Sequence, residues 1–220
     1  MTHAHDDAIT DPEEFWETRY LNRRGESGRM WSGRVNATIA HQVADVTPGT
    51  ALELGSGEGA DALWLAAEGW TVTAVDISGR ALAVGAAEAE RQGLADRIEW
   101  VQADLATWQP PAEYDLVTSA FLHSPVELPR EAILRRAAAA VAPGGRLLVV
   151  GHGAFPPGSH PEHDVEDAPP LPTPDEVLAA LELPRGWEVE TNALVDRVAK
   201  WRDGTDVTLT DSVLRVRRVR

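Results

Sequence analysis

Residues 51–66 read ALELGSGEGADALWLA, and their order decides the fold. A short apolar run ends at Leu54. Gly55, Gly57 and Gly59 follow, and Ala62, Leu63, Leu65 and Ala66 then recur at helical spacing. The order is strand, tight glycine-rich turn, helix. Glycine permits φ > 0 and lets a ligand approach the backbone closely. The helix start behind the turn offers free N–H groups and the positive end of a dipole. Such a unit holds a nucleotide-like cofactor.

The spacing Gly55-x-Gly57-x-x-Ala60 fits the dinucleotide fingerprint with alanine in its last place. Two further features tilt the reading. Glu53 stands two residues before the first glycine, and Gly59 extends the run to E-x-G-x-G-x-G. A carboxylate beside a pyrophosphate repels it, whereas one beside an amine-bearing cation attracts it. In this the chain resembles the class I S-adenosylmethionine-dependent methyltransferases, whose first motif is an acid followed by x-G-x-G-x-G. The likeness covers about residues 48–150, through ELGSGEG, AVDIS, QADL, YDLVTSAFLH and APGGRLLVVG. More loosely, WSGRVN, DALWLAAEGWTVTAVD and KWRDGTDVTLTDSVLRVRR look like the tellurite-resistance and thiopurine methyltransferase branch.

A chain of 220 residues fits one domain with at most a small appended piece. The formal net charge of −15 disfavours a nucleic-acid partner, and the arginines at 215, 217, 218 and 220 read as a solvated strand face. The absence of cysteine excludes disulfides, thiolate zinc sites and a thiol nucleophile. No long apolar run suggests a membrane span. The opening MTHAHDDAITDPEEF is acidic and polar, unlike a secretory signal, and points to the cytoplasm. Oligomeric state is left open.

Working outward from the motif, residues 1–11 read as disordered. Asp11-Pro12-Glu13-Glu14 signals a helix start, with Phe15, Trp16, Arg19, Tyr20 and Arg23 at helical spacing. A second short helix fits 37–46. Residues 1–47 thus form a helical cap in which Trp16, Tyr20 and Trp31 either cover the site or pack the segment onto the sheet. The domain proper spans 48–220. Strands are predicted at about 50–54, 71–76, 98–102, 114–118, 146–150, 187–194 and 205–218. Helices are predicted at 78–91, 126–141 and 173–183, with Pro143-Gly144-Gly145 as a turn. Alternating strands and helices predict an α/β fold with a parallel central sheet. The last two strands have no room for a crossover helix and pair antiparallel. The resemblance implies a Rossmann-like seven-stranded sheet of order 3-2-1-4-5-7-6, strand seven antiparallel, helices on both faces. Residues 151–172, rich in proline, acid and histidine, read as a loop over the site.

The gap from Glu53 to Asp76, one helix and one strand, is near that expected of an acid on ribose hydroxyls; a competing role for Asp76 is the cap of the next helix. The resemblance implies methionine-moiety contacts at Glu53, Gly55, Ser56, Gly57 and Ser119. It implies ribose contacts at Asp76 and adenine contacts at Ile77, Asp104 and Leu105, although Asp104 also suits a loop turn. Trp31 belongs to the cofactor's cover, and Arg34 or Asn36 is placed to hold its carboxylate.

Methyl transfer from a sulfonium needs alignment and water exclusion, and a base only where the acceptor is protonated. His123 and His152 are the candidate bases, each at a parallel strand's carboxyl end. A loop histidine bonded to backbone is the competing role for each. His160-x-x-His163-Asp164 is a crude ligand set without a defined further ligand, so no metal is expected. The reading is a methyltransferase acting on a small molecule, with S-adenosyl-L-methionine as cofactor and S-adenosyl-L-homocysteine as product. A nicotinamide-dependent oxidoreductase and a non-catalytic S-adenosylmethionine-binding module stay open beside it.

Overall fold

The computed structural model describes residues 9–22, 28–154, 171–200 and 205–219. A seven-stranded sheet carries the fold. Its strands are β1 (Thr50–Leu54), β2 (Thr71–Asp76), β3 (Ile98–Gln102), β4 (Tyr114–Ala120), β5 (Val141–Ala154), β6 (Trp187–Lys200) and β7 (Asp206–Arg218). The order is β3-β2-β1-β4-β5-β7-β6, and β7 pairs antiparallel with both β5 and β6, as expected. Helices are α1 (Pro12–Asn22), α2 (Ala37–Val43), α3 (Ala60–Ala67), α4 (Gly79–Gln92), α5 (Arg130–Ala139) and α6 (Pro174–Ala180).

Both faces of the central strands are apolar, so each must be covered. One core joins Leu52, Val117, Leu147 and Leu214 to Ile133 and Leu134 of α5 and Val177 of α6. The other joins Ala51, Val72, Leu116 and Leu148 to Ile39 of α2, Leu65 of α3 and Ala89 of α4. The chain reverses between β1 and β4 in strand order. That switch point opens at the carboxyl ends of the strands, where open α/β sheets place their sites.

Local chemistry sets the boundaries. Asn36 caps α2, Ser78 caps α4, and Thr173 with Glu176 forms a reciprocal capping box on α6. Several extents differ from expectation. Helix α5 starts only after Pro129, the proline before its first turn. Pro143-Gly144-Gly145 lies inside β5 instead of forming a separate turn, because Val141 already pairs with Tyr114 and the register slips before Leu116. Strand β6 runs on to Lys200, since β7 pairs it along its whole length. Thr205 falls just outside β7.

The C-terminal arginines are matched by acids. Arg215 meets Asp45 at 2.8 Å and Glu190 at 2.9 Å, Arg217 meets Glu188 at 2.6 Å, and Arg218 meets Glu113 at 2.8 Å. Among the described residues no helix is long and apolar enough to cross a membrane. The histidines at 160 and 163, and most of the 151–172 loop, lie outside the described residues. Within those described, no group of three or more His, Asp or Glu is placed to hold a metal.

One contact locks α4 to the glycine-rich turn. A Cβ on Gly85 of α4 would lie 2.5 Å from the Trp100 ring of β3 and 3.1 Å from the Glu58 carbonyl. Alanine ordinarily gains up to about 1 kcal/mol over glycine inside a helix. Here Gly85→Ala is expected to destabilise by about 1–3 kcal/mol through overpacking. It should lower the urea midpoint at unchanged slope, with Trp100→Leu relieving the loss in the double variant. A midpoint at or above that of the parent would show that the indole yields freely.

Candidate active site

The turn after β1 is left-handed at Gly55 (φ 69°), Gly57 (55°) and Gly59 (72°). The amides of Gly55 and Ser56 both donate to the Val75 carbonyl, at 2.8 and 3.0 Å, which ties the turn to β2. A side chain at Gly55 or Gly57 would meet a neighbour as well as strain the backbone. A Cβ on Gly55 would lie 2.8 Å from Leu122, and one on Gly57 would lie 2.8 Å from the Tyr20 hydroxyl.

Carboxylates crowd this turn. Asp76 is buried at the end of β2. Its Oδ2 accepts from the Gly57 amide at 2.7 Å and its Oδ1 from the Ser78 amide at 2.9 Å. The helix cap itself is Ser78, so Asp76 braces the turn instead of capping α4. Asp61, in the first turn of α3, accepts from the Asn36 amide at 2.8 Å. Glu53 is 4% exposed, and its Oε2 has no hydrogen-bond partner. Burial, then the charges of Asp61 and Asp76, push the Glu53 carboxyl well above its ordinary range, against a bond from the Ala62 amide. Burial likewise raises Asp61 to about 6, opposed by the Asn36 bond and the Arg197 charge. Burial raises Asp76 as well, against the amides of Ser78 and Gly57.

Ser56 Oγ and Ser119 Oγ are also buried without partners. Ser56 lies in the turn, and Ser119 stands beside Leu54 in the β1–β4 register. Unpaired polar atoms of this kind are costly without a partner. A ligand with an ammonium and further hydrogen-bonding groups satisfies them. A pyrophosphate meets three carboxyls instead. The residues present therefore fit an amine-bearing cationic nucleoside.

The other expected cofactor residues are placed unevenly. Trp31 is 52% exposed, and its indole N–H donates to the Tyr20 hydroxyl at 3.3 Å beside Gly57. The Asn36 amide oxygen caps α2 through Thr38 and Ile39, which leaves only its NH₂ for a ligand. Arg34 is exposed, and its guanidinium makes no hydrogen bond or ion pair among the described residues. The Ile77 carbonyl accepts from Gln102 at 3.3 Å. Asp104 is exposed and opens a turn by accepting from the Ala106 amide at 2.8 Å. The Leu105 side chain is buried in the core.

His123 and His152 come together. Their rings stack with centroids 5.8 Å apart, and Phe121 lies 4.5 Å from the His152 ring. His123 Nε2 is buried with no partner, and burial followed by the Arg130 charge lowers its pKa. The lowered pKa favours the neutral imidazole. Phe121 takes φ 50°, a left-handed conformation unusual for a bulky residue, at the carboxyl end of β4.

Several contributors escaped the sequence. Glu58, one of the variable positions of the motif, is 3% exposed and accepts from the amides of Met30 and Trp31 at 2.9 and 3.1 Å. It fastens the N-terminal segment to the turn. Asp61 carries a faint signal, an acid in a first helical turn. A groove of about 560 Å³ along α4, lined by Arg29, Arg80, Glu88 and Arg91, shares none of these residues. Its arginines are engaged with Glu17 and Glu88.

Comparison with known proteins agrees with this geometry. A family profile described as a methyltransferase domain matches residues 51–145. A 2-heptyl-1-hydroxyquinolin-4(1H)-one methyltransferase of Mycobacteroides abscessus is 35% identical over 173 residues, 70% of this chain and 73% of the relative. The fold is shared with magnesium protoporphyrin IX methyltransferase of Synechocystis PCC 6803, solved with bound S-adenosylhomocysteine (TM-score 0.58, 17% identity, 94% of this chain and 97% of that one). TehB from Haemophilus influenzae shares it too (TM-score 0.58, 15% identity, 94% and 67%). Of the readings that the sequence left open, the nicotinamide oxidoreductase and the non-catalytic module give way. The chain belongs to the class I S-adenosylmethionine-dependent methyltransferases, and it is an enzyme whose cofactor is S-adenosylmethionine.

Proposed function

We propose that the enzyme methylates the hydroxyl of a small aromatic acceptor bound at the carboxyl ends of β4 and β5. The observation that carries this is the unpartnered His123 Nε2, on a ring stacked with His152 beside Phe121. The relative from Mycobacteroides abscessus, named for a hydroxylated quinolone, supports an acceptor of that class. The net charge of −15 and the acid-matched C-terminal arginines favour a small molecule over a nucleic acid.

In this reading Glu53 and Asp61 hold the cofactor's ammonium, Asp76 its ribose, and Ile77, Asp104 and Leu105 border the adenine. The Gly55–Gly57 backbone, Ser56 and Ser119 line the methionine portion, and Trp31 with Tyr20 covers it as part of an N-terminal cap. Once bound, the cofactor supplies a methyl group already activated on a sulfonium. The protein's own tasks are alignment, exclusion of water and removal of one proton. His123 takes that proton from the acceptor hydroxyl onto Nε2, and Phe121 and His152 hold the imidazole in place.

Two outcomes are expected. The carboxylate of Asp61 attracts a cationic cofactor, and its proton is lost only above about pH 6. Affinity for S-adenosylmethionine should therefore rise several-fold from pH 5 to pH 7 in calorimetric titration. Asp61→Asn should flatten that rise, and an unchanged profile would remove Asp61 from the site. His123→Ala should lower kcat on a phenolic acceptor by about 10²-fold or more while S-adenosylhomocysteine binding survives. The parent's rate should fall only at pH more acid than an ordinary histidine would give, because burial lowers the His123 pKa. Equal kcat in mutant and parent would make His123 structural.

A further inference from the structure

One buried ion pair beside this site is not used by the chemistry described so far. Asp211 of β7 lies opposite His152 on β5 and opposite Val195 on β6. It is 1% exposed, and its Oδ2 accepts from the Thr38 hydroxyl at 2.6 Å and from Arg197 Nε at 2.7 Å. Arg197 is thereby pinned through Nε alone. Its two Nη groups make no hydrogen bond among the described residues, and its side chain keeps 18% of its surface exposed. The guanidinium carbon stands 5.9 Å from the centre of the Phe121 ring, and that ring lies 4.5 Å from His152. The charge of Arg197 is also felt at Asp61.

A clamp between α2 and the β6–β7 hairpin needs only the Thr38–Asp211 bond. Arginine offers five donors in a planar fork that suits ionised oxygens and aromatic faces. Here one donor is committed and four are left beside an aromatic wall. Phe121 is held there by an unfavourable φ that costs about 1–2 kcal/mol in an ordinary residue.

We propose that Arg197 determines acceptor specificity: its Nη groups bind the negative charge of an acidic aromatic acceptor whose ring lies against Phe121. The proposal rests on the reading of a hydroxylated aromatic acceptor. As the hydroxyl proton passes to His123, the charge left on the conjugated ring system is met by the guanidinium. Acidic hydroxyls, phenolic or N-hydroxyl, are thereby preferred over aliphatic alcohols.

The test uses the full chain loaded with S-adenosylhomocysteine and two probes, 1-hydroxyquinolin-4(1H)-one and quinolin-4(1H)-one, which lacks the N-hydroxyl. In the parent, the hydroxylated probe should bind at least tenfold more tightly, and its absorbance titration should shift to lower pH on binding. Arg197→Met should abolish both the preference and the shift and leave quinolin-4(1H)-one affinity within about twofold. Arg197→Lys should restore part of both. The double variant with Asp211→Asn avoids an unpaired buried carboxylate and should behave as Arg197→Met does. Equal loss for the two probes, or a preference that survives Arg197→Met, overturns the role of Arg197 and leaves the acceptor class standing. Failure of both probes to bind the loaded parent overturns the acceptor class and the proposal with it.

Discussion

Burial of carboxyl groups against a glycine-rich turn is the constraint on which the rest of this structure depends. Glu53 is enclosed at the end of β1 with one oxygen unpartnered, and Asp61 and Asp76 sit close enough to raise its pKa. A buried, like-charged cluster of this kind works against folding unless protons or cations neutralise it. A protein that only needed a turn here would be more stable with glutamine or leucine at residue 53. The cluster makes sense as the complement of a cation, and the methyl donor of this family is one.

The surrounding fold keeps that cluster in place. Gly55 and Gly57 adopt the left-handed backbone that wraps the turn over Val75, and Asp76 braces it from β2. Trp100 fills the space that side chains at Gly59 and Gly85 would take, so the turn, α4 and β3 move as one unit. Glu58, itself buried, captures the amides of Met30 and Trp31, which fastens the N-terminal segment to the turn. At the carboxyl ends of β4 and β5, Phe121 takes its left-handed φ with its ring near His152 and Arg197, and His123 stacks on His152. The two halves meet at Asp61, which touches the N-terminal segment through Asn36 and senses Arg197.

Most of this was legible where the signal is local. The strand–glycine–helix unit at 50–67, the buried strand to Asp76 and the capping box at Thr173 are written in residues a few positions apart. His123 and His152 were readable as strand-end histidines, and the structure stacks them. What failed to show was long-range. The Arg197–Asp211–Thr38 cluster depends on a hairpin register and on a helix more than 150 residues away in sequence. Asn36, read with Arg34 as a candidate for the cofactor carboxylate, gives its amide oxygen to the α2 cap and keeps its NH₂ for a ligand. Asp104 was readable both as an adenine contact and as a turn former, and its Oδ1 accepts from the Ala106 amide in a turn. The stretch Pro143–Gly145 reads as a turn by composition, but pairing between Tyr114 and Val141 draws it into a strand. At Asn36 and Asp104 the competing partner is a backbone amide two residues on, and only at Pro143–Gly145 does a tertiary partner, Tyr114, override the local preference.

The proposed site stands or falls on recognition of the cofactor's ammonium by Glu53. The direct measurement is a calorimetric titration of the parent and Glu53→Gln with S-adenosylmethionine and with 5′-methylthioadenosine, which keeps the nucleoside and lacks the amino acid. The substitution is expected to weaken S-adenosylmethionine by about tenfold or more, the order of a lost charged hydrogen bond, and to leave 5′-methylthioadenosine unaffected. Equal weakening of both ligands, or of neither, would contradict it.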